Sequence, residues 1–299
     1  MRACTFGGWS DLLNPASRET TTHPVHLFGA REHGMITDIR RARSPLLAKL
    51  SHLTPLSDED GRILDALCLH EERFAANIDI VHAGDVPRSP FVLTHGMAFR
   101  YRLMPDGKRQ ILTFMIPGDI FGLHAFLLKA MDHSIGTLVP TRVAMISRDT
   151  VFDLFDNHPR IGAALWWSAL QQNAIHRERI VALGRRSSRG RIAYLLCELV
   201  WLQRAVGLSD GHAIRLPVTQ VELADALGLT SVHINRILQG FRRDNLITLA
   251  QRRLALLDVE RLQEIAGFNQ NYLHLGGAPT EARSYIDMRE REHEGREGH

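Results

Sequence analysis

Gln220-Val-Glu-Leu-Ala-Asp-Ala-Leu-Gly-Leu-Thr-Ser-Val-His-Ile-Asn-Arg-Ile-Leu-Gln239 orders the rest of the chain around it. Two helices that cross closely in a helix-turn-helix need a small residue at the crossing, a glycine in the turn and apolar residues at fixed core positions. Ala224 is the small residue and Gly228 the turn, while Leu223, Leu227, Leu229, Ile234 and Ile237 fill the core positions. Thr219 and Thr230 stand where N-caps belong, because a threonine oxygen can accept an orphan N–H of a first helical turn. The second helix, predicted over 231–241, then exposes Ser231, His233, Asn235, Arg236 and Gln239.

A second helix of this kind enters the DNA major groove with its N-terminal residues nearest the base edges. Arg236 is the first choice for reading a base, since its fork matches O6 and N7 of guanine. His233 and Ser231 come next, with Gln220, Thr230, Asn235 and Gln239 around them. Arg242 and Arg243 lie toward the helix end, and Arg252 and Arg253 fall in an expected hairpin wing. Arginines so placed suit phosphates, which add affinity without sequence preference. The plainer alternative is a solvated arginine face, which weighs more against any one residue than against the group.

Charge placement agrees. The chain carries +3 overall, but residues 184–255 hold 11 arginines and no lysine against five acids, a local balance of +6. A basic C-terminal unit on a mildly acidic remainder suits a polyanion, because phosphate neutralisation drives non-specific DNA affinity. Apolar residues at 44% and charged residues at 23% are globular values and exclude collagenous or wholly disordered classes. No run approaches the roughly 18 apolar residues of a membrane span, and the first residues lack the apolar core of a signal peptide. A cytoplasmic protein with no membrane partner is the default expectation. Cys4, Cys68 and Cys197 are far apart and form no CxxC pair, which argues against disulfides or a cysteine-held metal.

Working toward the N-terminus, Arg191 to Arg204 is helical, and Gly184 to Gly190 is a polar break read as a hinge. Residues 150–183 have helical spacing, with Ala163, Trp167, Leu170, Ala174, Arg177 and Val181 in the alternating steps of a two-stranded coiled-coil seam. The alternative is a helix packed on its own neighbouring domain. Ala98 to Leu103 alternates apolar and charged residues as a half-buried strand does, and Asp106-Gly107 suits a hairpin turn leading to a partner strand over 111–116. Pro117-Gly118-Asp119 turns again, and a last strand runs over 139–147. Short strands between such turns predict an antiparallel sandwich or roll. A helix over 57–69 precedes it, capped at Ser57. The predicted units are a flexible extension at 1–43, the roll with flanking helices at 44–149, the dimerisation helix at 150–184, a winged helix-turn-helix at 185–268 and a charged, disordered tail at 269–299. Met35 competes with Met1 as the start of translation.

On the Pro117-Gly118-Asp119 turn, the long connecting helix and above all 221–247, the chain resembles the Crp/Fnr superfamily of bacterial transcription regulators over about Pro45 to Leu275. The resemblance implies an α+β chain: an antiparallel, jelly-roll-like β-roll that senses an effector, a long dimerisation helix and a C-terminal winged helix-turn-helix. It implies a homodimer on a two-fold symmetric DNA site, with RNA polymerase as a partner and a small molecule as effector. In cyclic-nucleotide-binding members, a Gly-Glu-Leu turn and an Arg-Ser-Ala segment grip the ligand. Here the pocket positions are Gly122, Leu123 and His124, then His133 and Ser134, so the ribose-binding glutamate is Leu123 and the phosphate-binding arginine is His133. Losing a buried cation opposite a phosphate costs about 2–5 kcal/mol, which disfavours cAMP. The oxygen-sensing branch needs a cysteine cluster that the chain lacks, so no iron–sulfur cluster is expected. His124 and His133 are the candidates for a haem, against the more common role of a histidine as a surface or hydrogen-bonded core residue; the cofactor stays unknown. Members that read cytosine with a glutamate carry it where Val232 stands, whereas Arg236 is retained.

Two other classes compete. One is an effector-binding module, for a cyclic nucleotide or haem, without significant DNA binding; the complete second helix and the basic segment oppose it. The other is an enzyme, and no nucleophile–base pair, metal triad or phosphate loop is legible: Gly184 to Gly190 lacks the phosphate-loop lysine. No catalytic or metal residue is assigned.

Overall fold

The computed structural model describes residues 44–86, 89–123 and 128–275. The expectations for residues 1–43, for Cys4, for His124 and for the tail beyond 275 lie outside the described residues.

Helices α1 (Pro45–Leu50) and α2 (Asp58–Leu67) come first, capped by Ser44 and Ser57. The strands β1 (Glu71–Phe74), β2 (Asp79–Val81), β3 (Phe91–His95), β4 (Ala98–Leu103), β5 (Arg109–Met115), β6 (Ile120–Phe121), β7 (Ser134–Thr137) and β8 (Thr141–Met145) follow. They pair into two antiparallel four-stranded sheets, ordered β1-β8-β3-β6 and β2-β7-β4-β5. The expected hairpin is β4–β5, with Leu103 opposite Arg109 and Gly107 at a φ of 79° in the turn. Phe91, Leu93, Ala98, Met115 and Phe121 pack together between the sheets.

The alternation in β4 was expected to turn its charged residues to water. Arg102, toward the hairpin, is exposed as expected, but around Arg100 both faces of the strand are covered. Ala98 joins the inter-sheet core, while Phe99 and Tyr101 pack on the opposite side into the core shared with the C-terminal unit. Arg100 therefore points inward with Ala98, its guanidinium 5.8 Å from the Phe121 ring centre.

The Pro117-Gly118-Asp119 turn is pinned to α1. The Asp119 carboxylate accepts the Ile116 N–H at 2.9 Å and pairs with Lys49. Gly118 has a φ of 95°, and a Cβ there would lie 2.5 Å from the Pro45 carbonyl oxygen. Gly118→Ala is expected to cost about 1–3 kcal/mol from the left-handed backbone, with the clash added. Urea denaturation reads this directly, and a loss under about 0.5 kcal/mol, the range of ordinary surface changes, would contradict the close approach.

The single helix expected over 150–183 is two, α3 (Arg148–Asp156) and α4 (Pro159–Arg185). Proline disfavours helical backbone in the residue before it and fits the first helical position. His158 accordingly leaves the helix at φ −129° and ψ 72°, and Pro159 restarts it.

The C-terminal unit consists of α5 (Ser188–Ala205), β9 (Ser209–Asp210), β10 (Ala213–Arg215), α6 (Gln220–Leu227), α7 (Ser231–Arg243), β11 (Ile247–Ala250), β12 (Arg253–Leu256) and α8 (Val259–Ala266). Its strands form one sheet ordered β11-β12-β10-β9. A 3-10 helix, Gln270–Leu273, ends the described chain. This corrects the first residues of the tail expected at 269–299. Leu273 is fully buried, its carbonyl accepts from the Gln171 side chain on α4, and the Tyr272 hydroxyl donates to Glu198 at 2.8 Å.

The break expected over 184–190 shrinks to Arg186 and Ser187 between α4 and α5, and it is tightly held. Ser187 caps α5, and Arg186 lies 3.9 Å from the Tyr194 ring centre while donating to the Ala266 carbonyl at 3.0 Å. Arg191 donates to the Arg186 and Leu227 carbonyls. Farther out, Arg109 on β5 pairs with Asp225 on α6 at 2.9 Å, so the roll's hairpin is clasped to the helix-turn-helix. Burial holds the Cys197 thiol up at about 12 and the Cys68 thiol at about 11, which keeps both in their unreactive protonated form. Among the described residues no helix is long and apolar enough to cross a membrane.

Candidate nucleic-acid interface

The interface is built by α6, α7 and the β11–β12 wing. Thr219 and Glu222 cap α6 reciprocally, and Gly228 ends it in the left-handed region at φ 63°, the conformation that turns the chain into α7. Thr230 caps α7 by accepting the His233 N–H at 3.2 Å. Ile234, Leu238 and Phe241 are fully buried and recur at helical spacing, so one side of α7 is anchored in the core. Of the expected core positions, Leu223, Ala224, Leu227 and Ile234 are buried, whereas Leu229 and Ile237 are half-buried. Ala226, Leu238 and Phe241 are core residues that the helix-turn-helix spacing left out.

The opposite side of α7 presents Val232, Asn235, Arg236, Gln239 and Arg243 to solvent, with Ser231 and His233 half-buried at its start. Arg236 lies 3.3 Å from His233 Nδ1, and Gln220 on α6 donates to the Asn235 side-chain oxygen at 3.1 Å. These contacts draw the polar residues of both helices into one surface. Thr230 is exposed at its edge, its hydroxyl spent on the cap.

The expected phosphate contacts divide. Arg243 and Arg252 are exposed. Arg242 is half-buried and donates to the Leu249 carbonyl at 3.0 Å, joining α7 to the wing. Arg253 pairs with Asp210 at 2.9 Å across the sheet, still exposed to solvent. Ala250 pairs with Arg253, so Gln251 and Arg252 form a two-residue turn with φ of 50° and 60°. Such turns favour glycine and asparagine; the Leu216 N–H, donating to the Arg252 carbonyl at 2.7 Å, helps hold two long side chains at the wing tip. Several arginines behind the +6 balance are structural: besides Arg186 and Arg191, Arg189 pairs with Asp244 at 2.7 Å and stacks on Phe241.

With this geometry in place, two family patterns match the chain, the cyclic nucleotide-binding domain over residues 71–158 and the Crp-like helix-turn-helix domain over residues 190–265. The chain belongs to the Crp/Fnr superfamily of DNA-binding transcription regulators. It is 26% identical over 194 residues to the nitrogen fixation regulation protein FixK of Bradyrhizobium diazoefficiens, covering 64% of this chain and 80% of that protein. It is 28% identical over 211 residues to the transcriptional activator protein FnrL of Cereibacter sphaeroides, covering 69% and 83%. The structure of FixK2 from Bradyrhizobium japonicum matches with a TM-score of 0.60 at 22% identity, over 67% of this chain and 98% of that one, which shows the fold.

Elsewhere in this Crp/Fnr chain, the expected pocket residues separate. Gly122, Leu123 and His133 line a cavity of about 300 Å³ between the roll and α4. Ser134 lies apart from its lining, with its hydroxyl accepting the Ala83 N–H at 2.9 Å. Arg100, Asp132, Ser168, Gln172, Asn173 and His176 complete the polar lining and were not anticipated. The missed signal was an arginine inside a strand covered on both faces.

The residues expected along the seam of the long helix divide. Ala174 is 3% exposed and faces its own protomer, and Trp167 packs against the cluster formed by α1, α3 and the start of α4. Ala163 is half-buried, while Leu170 and Val181 are open. The exposed residues of α4 include a stripe at Trp166, Leu170, Asn173, Arg177 and Ile180, with Trp166 at 60% and Ile180 at 71%, and Ala169 and Val181 are exposed beside it. The stripe keeps the coiled-coil spacing but is displaced by one residue at Trp167 and Ala174, because the helix already buries one side against its own chain, while Val181 is exposed beside Ile180.

Proposed function

We propose that this regulator works as a homodimer that reads a two-fold symmetric DNA site, with one α7 in the major groove of each half-site. The observation that carries the reading is α7 itself: a helix anchored through Ile234, Leu238 and Phe241 whose other side offers Asn235, Arg236 and Gln239 to solvent. Arg236 is the main base contact, with Ser231, His233, Asn235 and Gln239 beside it and Gln220 and Thr230 at the margin. Arg243 and Arg252 neutralise phosphates, whereas Arg242 and Arg253 serve first to hold the wing in place. Dimerisation uses the exposed stripe of α4. The effector is not cAMP, because Leu123 and His133 supply neither the ribose acceptor nor the fixed phosphate cation, and the output passes to RNA polymerase.

Selection of bound fragments from random DNA, followed by mobility shifts over a salt series, tests this. Arg236→Ala is expected to cost about 1–3 kcal/mol and to relax preference at one base pair per half-site. Arg252→Ala should weaken all sequences alike and reduce the salt slope by about 1. If both substitutions act uniformly across sequences, α7 is not docked as described.

A further inference from the structure

Among the described residues, no carboxylate forms an ion pair with Arg100, whose guanidinium lines the cavity between the roll and α4. Arg100 makes one long hydrogen bond, Nη2 to the Ile120 carbonyl at 3.4 Å, and its Nε is buried with no partner. The two carboxylates nearest in effect are spent elsewhere. Asp119 is bound to Lys49 and the Ile116 N–H, and Asp132 is held by His133 at 2.6 Å. Taking a guanidinium out of water is costly unless an anion meets it. Gln172, on the α4 side of the same cavity, has a buried Oε1 that accepts no hydrogen bond. Burial holds His176 below its ordinary pKa, helped by the charges of Arg100, Arg179 and His133, so its imidazole is neutral at neutral pH. Leu112, Ile120, Leu123 and Leu165 supply apolar walls. The lining thus offers one permanent cation, one unmet acceptor and a greasy middle, with Asp132 at the exposed rim repelling a second negative charge.

We propose that this cavity binds a small monocarboxylate with an apolar body and a hydroxyl at its far end, the carboxylate on Arg100 and the hydroxyl on Gln172. This is a different chemistry from the cyclic phosphodiester grip, whose cation would have come from position 133. Asn173 belongs both to the cavity wall and to the exposed stripe of α4, so an occupant lies beside the surface proposed for dimerisation. Only that consequence rests on the proposed function; binding itself is a property of the DNA-free chain.

Calorimetric titration of the full chain without DNA tests the site, using ω-hydroxyhexanoate, hexanoate, hexanediol, inorganic phosphate and cAMP as probes. Both acids should bind saturably, the hydroxy acid more tightly, and the diol and phosphate should not. Arg100→Gln should weaken the acids roughly thirtyfold or more, and Gln172→Leu should remove the advantage of the hydroxyl while leaving hexanoate unchanged. Because Arg100→Gln deletes an unpaired buried charge, its unliganded melting temperature should equal or exceed that of the parent. Acids that bind no better than the diol, or equally well to Arg100→Gln, overturn the proposal. A lowered melting temperature in Arg100→Gln would make the arginine a structural cation and overturn it as well. Tighter binding of cAMP or phosphate would reassign the cavity to a phosphate ligand.

Discussion

Glu198→Gln should lower the stability of the protein by about 3–5 kcal/mol, the usual consequence of removing one member of a buried ion pair. Glu198 is 1% exposed on α5 and meets Arg179 of α4 at 2.5 Å, while its other oxygen accepts from the Tyr272 hydroxyl. The substitution keeps the size and an acceptor for Tyr272 but leaves the Arg179 guanidinium buried and uncompensated, with Nη1 already unpartnered. A loss of that size is a large part of the roughly 5–15 kcal/mol that holds an ordinary domain folded. The double change Arg179→Met with Glu198→Leu should recover most of it, since apolar replacements of a whole buried pair are often neutral or better. Denaturant curves on the two single variants and the double variant separate these terms, and a Glu198→Gln loss below about 1 kcal/mol would place the pair in effective contact with water. The position of the pair matters as much as its cost. It ties α4, α5 and the terminal 3-10 helix at one point, so the winged unit is held to the long helix by a charge network in addition to the Arg186 contacts.

The parts of this architecture that were legible are those whose constraints are local. The caps at Thr219 and Thr230, the left-handed Gly228 and the β4–β5 hairpin each follow from a few adjacent residues, and the structure contains all of them. What was not legible depends on a second surface. Whether Arg100 faces water or a cavity cannot be decided from strand alternation when helices cover the outer face. The phase of the α4 stripe cannot be read from spacing alone, because Trp167 and Ala174 satisfy the same steps while packing on their own chain. Arginine counting fails for a related reason. Arg186, Arg189 and Arg191 are basic in sequence but spend their donors on the chain itself, so the charge offered to DNA comes more from Arg236, Arg243 and Arg252. The 3-10 helix at 270–273 was missed because its apolar anchors are just Tyr272 and Leu273, with Gln270 accepting from Trp201, too few for any periodicity to show.

The displaced stripe leads to the other large expected effect. Ile180→Glu combined with Leu170→Glu should leave the fold intact and convert the protein to a monomer. Ile180 is 71% and Leu170 44% exposed in the single chain, so the charges can reach solvent with little loss of intrachain packing, yet two copies of α4 brought together would bury four like charges. A palindromic site held by two linked α7 helices gains about 10²–10⁴ in affinity over one half-site, and the variant should lose that factor while an isolated half-site is bound as before. Ala174→Glu provides the contrast: Ala174 is buried within its own protomer, so its charge should lower stability rather than assembly. Sedimentation for the oligomeric state, circular dichroism for the fold and mobility shifts on full and half sites distinguish the two results. A dimer that survives the glutamates on Leu170 and Ile180 with undiminished affinity for the full site would show that α4 is not the dimer surface. The exposed apolar residues at Trp166 and Ile180 would then need another partner, and the two α7 helices another way of being spaced on DNA.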